Sequence, residues 1–366
     1  MIIKNGLVFE PTGTFVKRDV YTDGQQILAE KGSSDDKIID AKDMYVLPGL
    51  VDVHIHGAVG CDFCDGDFEK LSKIAAYLKS NGITSFCPTS MTLPEDQLKT
   101  IFQSIKKVPT DAEYAHIAGI NMEGPFISPA KKGAQKESYI QNPSTNMFRR
   151  LDDACDGAIR LVTLAPELNG SDSFIEEFHD TVAISLGHSA ANYETASKAF
   201  ALGANHVTHL FNAMPAFLHR DPGIIGAAAD CAHAMAEIIS DGIHIHPSAI
   251  RNAFQMFGED RMILISDAMR ATGMEDGEYE LGGQPVFKKG RHATLADGTL
   301  AGSATNLFDC MRGAIQFGVP ATAAIKAATI NPARSIGMEQ TIGTLAPGAR
   351  ADIILVNKDF ELVKVL

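Results

Sequence analysis

The chain contains no apolar run approaching the roughly 18 residues that cross a bilayer, so a membrane-embedded role is set aside. Cysteine is sparse too. Its six residues follow no repeated spacing, which argues against a disulfide framework and for reduced thiols. The one close pair, Cys61 and Cys64 in CDFC, lacks the second pair of a four-cysteine zinc site and reads as two free thiols rather than a redox motif. The sequence starts MIIKNGLVFEPTG, without a basic stretch leading into an apolar one, and a cytoplasmic location is expected. Positive charge is in deficit, with 32 Lys and Arg against 45 Asp and Glu and a formal net charge of -13. That field repels a polyphosphate backbone, no basic cluster overcomes it, and nucleic acid is not an expected partner. A small anion remains compatible, because a local Arg or His pocket can hold one inside a negative field. Internal repeats and low-complexity tracts are absent as well.

What is present reads as a folded, globular chain: 45% of the 366 residues are hydrophobic and 21% charged. That length suits one large α/β barrel with a minor appendage. Residues 1–47 carry short β-like runs broken by the turn dipeptides Asn5-Gly6 and Asp23-Gly24. At the other end Pro347 and Gly348 make a turn before the apolar run DIILV. The expected architecture joins both ends, 1–47 and 346–366, in one small β-sandwich domain beside a central domain over 48–345. In that central part, apolar runs such as HIAGINME, IRLVTLAPE, TVAISLGHS and RMILISDAM alternate with amphipathic or Ala-rich segments such as DFEKLSKIAAYLKSNG and YETASKAFALGA. This is the βαβα rhythm of a parallel sheet. With so many units, and with no G-x-G-x-x-G after the first strand, a closed (β/α)8 TIM-type barrel is expected rather than an open sheet.

The informative residues are the polar ones that end these runs: His54 and His56, Glu123, His188, His209, Asp241 with His244, and Asp267. In such a barrel the strand C-termini converge on one rim, so residues distant in sequence meet there. Side chains alternate along a strand with period two, so His54 and His56 share a face and can grip one ion, with Asp52 on the same side to orient an imidazole. An H-x-H pair alone is more often a surface or hydrogen-bonded pair. Further strand-end ligands shift the balance: Glu123 can hold or bridge cations, and His188 and His209 offer neutral imidazole nitrogens. Asp267 is read differently, as the base that takes a proton from an attacking water and returns it to a departing amine. A lone Asp there would equally suit a helix N-cap, and its company decides the matter. The remaining histidines are read as ordinary.

These residues lie in motifs that resemble a known family. VLPGLVDVHIH is similar to the entry signature of the amidohydrolase superfamily, and EGPFISPAKKGAQ, GHS, THLFNAM, HRDPGIIGAA, SDGIHIHP, SDAM and LAGSATN together resemble the N-acetylglucosamine-6-phosphate deacetylase family. The resemblance covers essentially the whole chain. It implies metal ligands at Glu123, His188 and His209, to which the retained pair His54 and His56 adds a second candidate set, and a catalytic acid/base at Asp267. It further implies substrate contacts at Asn212, Ala213, Arg220 and His244, with Gln135 standing where some members carry a histidine. A divalent metal is implied, one or two ions per subunit, with zinc or iron foremost and manganese or cobalt as other choices. The implied activity is deacetylation of N-acetyl-D-glucosamine 6-phosphate in amino-sugar catabolism by a homodimer whose neighbouring subunit contributes to the phosphate site. The galactosamine epimer, another amide substrate, or a non-catalytic barrel used as a scaffold are the alternatives.

Overall fold

A computed structural model describes residues 1–32 and 37–366. Eight parallel strands run in sequence: Leu50–Ile55, Ile83–Ser90, Ile120–Glu123, Ile159–Leu164, Ala183–Leu186, His206–Val207, Met235–Ile239 and Met262–Ile265. Each pairs with the next, and His116–Ile117 adds a short stretch beside the second. The ring closes just past the last strand, where Ala268 bridges to Ile55 and the Asp267 amide donates to the His54 carbonyl at 3.0 Å. The expected TIM-type barrel is therefore what forms.

Its helices arise for local reasons. Phe68–Ser80 starts where the Asp67 carboxylate accepts from the amides of Glu69 and Lys70, and it buries Leu71, Ile74, Ala75 and Leu78, one stripe at helical spacing. Tyr193–Ala201 starts in the same way, with the Asn192 side chain accepting from the Thr195 amide, and buries Ala196, Ala199 and Phe200. Each large apolar side chain buried against the sheet contributes about 1.5–3 kcal/mol.

Both chain ends build two further sheets. One orders the strands Ile27–Leu28, Val20–Thr22, Ile2–Lys4 and Ile38–Asp40; the other orders Leu362–Val365, Ile353–Val356, Tyr45–Pro48, Leu7–Glu10 and Thr14–Lys17. Ile3, Val8, Val20, Ile27, Val46, Ile353 and Leu355 pack in one apolar cluster that unites them as a sandwich. Asp23-Gly24 closes a hairpin, since Val20–Thr22 pairs with Ile27–Leu28. Asn5-Gly6 instead carries the chain from one sheet to the other. A Cβ on Gly6 would stand 2.5 Å from a methyl of Val46, so only glycine allows that approach.

One element was not anticipated. After the eighth barrel strand the chain forms a three-stranded antiparallel sheet, Gly277–Leu281, Gln284–Lys289 and His292–Thr294, packed through Leu281, Val286 and Ala293 on Met91, Met269 and Ala301. It stands beside the rim where the ionisable residues gather.

Candidate metal centre and its cavity

The strand ends deliver their side chains to one place. His54 and Glu123 are the fifth and last residues of their strands, while His188, His209, Asp241 and Asp267 each lie two residues past theirs. His188, His209 and Asp267 adopt left-handed backbone conformations, with φ of 45°, 26° and 48°. For non-glycine residues this costs about 1–3 kcal/mol each and persists only where the surroundings enforce it. The enforcement is visible at Gly187, where a Cβ would come within 2.5 Å of Thr208 Cβ, so the loops bearing His188 and His209 are clamped together.

The imidazoles are oriented by what their inner nitrogens contact. His54 Nδ1 donates to Glu237 Oε2 at 2.9 Å, His56 Nδ1 to the Thr89 carbonyl at 3.1 Å, and His188 Nδ1 to the Lys131 carbonyl at 2.8 Å. With Nδ1 carrying the proton in a neutral ring, Nε2 keeps its lone pair. Those Nε2 atoms surround Glu123. His188 Nε2 and His209 Nε2 lie 3.0 and 3.1 Å from Glu123 Oε1, and 3.0 Å from each other. His56 Nε2 is 3.4 Å from Glu123 Oε2 and 3.3 Å from Asp267 Oδ1, and His54 Nε2 is 3.7 Å from the same Asp267 oxygen.

This donor set fits a divalent cation. Nitrogen lone pairs and carboxylate oxygens aimed at a common space repel unless positive charge sits among them, and His54 Nε2 is buried with no hydrogen-bond partner. Two groups satisfy the distance requirement among the described residues: His54, His56 and Asp267, and Glu123, His188 and His209, with all ligand atoms in each within 4.8 Å of one another. All six are buried. An N/O set of this kind suits the intermediate divalent metals better than calcium or magnesium.

The electrostatics agree. Burial opposes charging of His56, yet its hydrogen bonds to Asp267 and Glu123 and their charges push its pKa up to about 10. His54 is raised too, since Glu237 and Glu123 outweigh the same burial. Burial likewise opposes the Glu123 carboxylate, but the charges of His54 and His188 and the hydrogen bonds from His188 and His209 hold it well below the ordinary range. For Asp267, burial is again overcome, by the His56 hydrogen bond and the charges of His54, His56 and His209, and its carboxyl is held below its usual value. The pocket thus demands positive charge, supplied by protons or by metal.

A cavity of about 380 Å³ opens over these groups, and its lining joins His56, Glu123, Gln135, His188, His209 and Asp267 with Asn212, Ala213, His244 and Lys131. Leu281, Thr299, Leu300 and Gly302, from the unforeseen sheet and the loop after it, complete the wall. His244 Nδ1 donates to Asp241 Oδ2 at 2.8 Å, which leaves Nε2 free for a ligand. Gln135 is spanned by two contacts: its Nε2 donates to Glu123 Oε2 at 2.9 Å and its Oε1 accepts from the Thr92 amide at 2.7 Å.

Ten candidate residues from the sequence therefore gather here, and one does not. Arg220 is exposed, donates to His219 Nε2 at 2.7 Å, and lies outside the cavity lining of its own chain. Asp52 also departs from expectation. It is fully buried, but its carboxylate accepts from Ser266 Oγ at 2.6 Å and meets His54 only through the backbone amide at 3.4 Å. Register shifts between the first two barrel strands break the strict alternation on which that expectation rested. The carboxylate that does orient His54 is Glu237, in the run MAEII; a lone acid inside an apolar strand was the available signal. All six cysteines are free.

The amidohydrolase family profile matches residues 45–366. The chain is 37% identical over 327 residues to N-acetylglucosamine-6-phosphate deacetylase of Bacillus subtilis (strain 168), covering 88% of this chain and 83% of the relative. It is 33% identical to N-acetylgalactosamine-6-phosphate deacetylase of Escherichia coli O157:H7, covering 87% of this chain and 85% of that one. Among solved structures, a mutant of N-acetyl-D-glucosamine-6-phosphate deacetylase from Mycobacterium smegmatis, in complex with N-acetyl-D-glucosamine-6-phosphate, superposes with a TM-score of 0.92 at 29% identity, covering 100% of this chain and 97% of that one.

Proposed function

We propose that this chain, which belongs to the amidohydrolase family, is a metal-dependent deacetylase that hydrolyses N-acetyl-D-glucosamine 6-phosphate to D-glucosamine 6-phosphate and acetate in amino-sugar catabolism. The observation that carries the reading is the pair of buried ligand groups meeting at Glu123, with Asp267 at the edge of the cavity, in a chain whose relatives are sugar-phosphate deacetylases.

His54 and His56 would hold one cation, and Glu123, His188 and His209 another or the sole one; zinc or iron is the proposed metal, with manganese or cobalt as substitutes. A divalent cation bound there supplies Lewis acidity, polarising the acetamide carbonyl and lowering the pKa of water. The protein's own residues do the rest. Asp267, ionised at neutral pH because its neighbours hold its pKa down, takes the proton of the attacking water as the C–O bond forms. It then delivers that proton to the amide nitrogen as the C–N bond breaks, so the amine leaves neutral together with acetic acid, whose remaining hydroxyl proton passes to solvent or to the freed amine to give acetate. Gln135 fixes the Glu123 carboxylate, and His244, pinned by Asp241, offers its free nitrogen to the sugar. Asn212 and Ala213, which line the same cavity, would contact the phosphate-bearing end.

We further propose a cytoplasmic homodimer, in which Arg220 serves the phosphate site of the neighbouring subunit. Its support is the exposed segment carrying Arg220 beside Phe217 and Leu218, which are 47% and 54% exposed. No helix among the described residues is long and apolar enough to cross a membrane. The proposed division of the chain is a small β domain over 1–47 and 346–366 and a hydrolase barrel over 48–345, supported by the separate apolar cluster of the terminal sheets.

The similarity to a galactosamine-6-phosphate deacetylase makes the epimer a real alternative. Steady-state kinetics on both N-acetylhexosamine 6-phosphates separates them. A kcat/KM favouring the glucosamine epimer supports the reading, and preference for the galactosamine epimer replaces it.

A further inference from the structure

We propose that Glu237 is a positioning residue for the metal centre, one carboxylate oxygen that sets the ring of His54 and the backbone of His209 together. The inference rests on reading the cluster as a metal centre, and it adds a residue that touches neither cation nor substrate.

Glu237 is the third residue of the seventh barrel strand, Met235–Ile239, and is fully buried. Met235 and Ile239 pack with Val51, Val53, Ile263 and Ile265, whereas Ala236 and Ile238 join the large core shared with the helices. Period-two alternation therefore turns Glu237 into the barrel with Met235 and Ile239. An acid in that position is costly unless it serves something, because burying a carboxylate forfeits its hydration. Oε2 has found partners. It accepts from His54 Nδ1 at 2.9 Å and from the His209 amide at 3.0 Å. Oε1 has none within hydrogen-bonding geometry, and faces His206 Nε2 at 3.4 Å.

The two contacts of Oε2 reach both candidate ligand groups, since His54 belongs to one and His209 to the other. Accepting from Nδ1 keeps the proton on the inner nitrogen of His54 and the lone pair on Nε2, the atom that faces Glu123 and Asp267. Accepting from the His209 amide holds a residue whose φ of 26° is strained. Carboxylates in this position behind a ligating histidine typically raise metal affinity by about 10–100-fold.

The test compares wild type, E237Q and E237L, each stripped by chelation and titrated with zinc against a chromophoric chelator. Leucine fills a similar volume among Met235 and Ile239 but accepts from neither donor; glutamine can place its oxygen at the Oε2 position and keep both bonds without the charge. We expect E237L to bind zinc about 10–100-fold more weakly and E237Q to fall between it and wild type, with each affinity measured at a temperature where the chelated protein is folded. Zinc affinity in E237L equal to wild type overturns the inference. Should E237L fail to fold, the ring ¹⁵N shifts of His54 in the zinc-loaded wild type decide: a protonated Nδ1 supports the assignment and a protonated Nε2 overturns it. Wild type that binds no zinc, cobalt, manganese or iron would defeat the metal-centre reading itself, a result separate from equal binding by both proteins.

Discussion

Replacing Asp267 by asparagine separates proton transfer from everything else the site does. Asparagine has nearly the same volume and keeps an oxygen where Oδ1 lies 3.3 Å from His56 Nε2, but it cannot accept and return a proton at neutral pH. General acid–base catalysis by a placed side chain contributes about a hundred- to ten-thousand-fold. Here one group serves both transfers, so the upper part of that range applies: a loss in kcat of about a thousand- to ten-thousand-fold, or about 4–5 kcal/mol of transition-state stabilisation. KM should change little, because Asp267 makes no ground-state bond that asparagine cannot imitate. The group Glu123, His188 and His209 is untouched, so at least one ion per subunit should remain. The assay is release of free amine with time, with metal measured on the same sample. Activity within about tenfold of wild type would remove Asp267 from proton transfer, and complete metal loss would make it chiefly a ligand.

Three other outcomes follow from the same structure. Burial raises the Asp52 pKa to about 7, above its unfolded value, so the stability it contributes is present at low pH and lost as pH rises through about 7; D52N, measured by urea unfolding, should gain on wild type between pH 5 and pH 8, and an unchanged difference would refute the burial argument. His56 in chelated protein is pushed up to about 10, so metal uptake at pH 8 should release protons and weaken as pH falls, which calorimetry in buffers of different ionisation enthalpy would detect. Gly187→Ala forces a Cβ to within 2.5 Å of Thr208 and should cost about 1–3 kcal/mol with loss of activity, read by thermal unfolding; a neutral effect would show that the clamp between the His188 and His209 loops gives way freely.

Much of this site could be read from the sequence because a parallel barrel turns a one-dimensional regularity into a place. His54, His56, Glu123, His188, His209 and Asp267 each end an apolar run, and strand ends converge on one rim. What escaped were features that depend on register and on distant partners. Asp52 was expected beside the imidazoles by simple alternation, yet shifts in strand pairing give it to Ser266. Glu237 contacts a histidine 183 positions away, and no local pattern identifies such a partner. The sheet at 277–294 did carry a signal, the pair Gly282-Gly283 between two β-like runs. Arg220 shows the opposite limit, since its proposed work needs a second copy of the chain.

The most direct measurement of the central claim is acetate release from N-acetyl-D-glucosamine 6-phosphate by the purified protein, with bound metal counted before chelation, after it, and after metal is restored. Activity that falls with the metal and returns with it, at one or two ions per subunit, is the predicted result. A folded, fully metal-loaded protein that releases no acetate would contradict it.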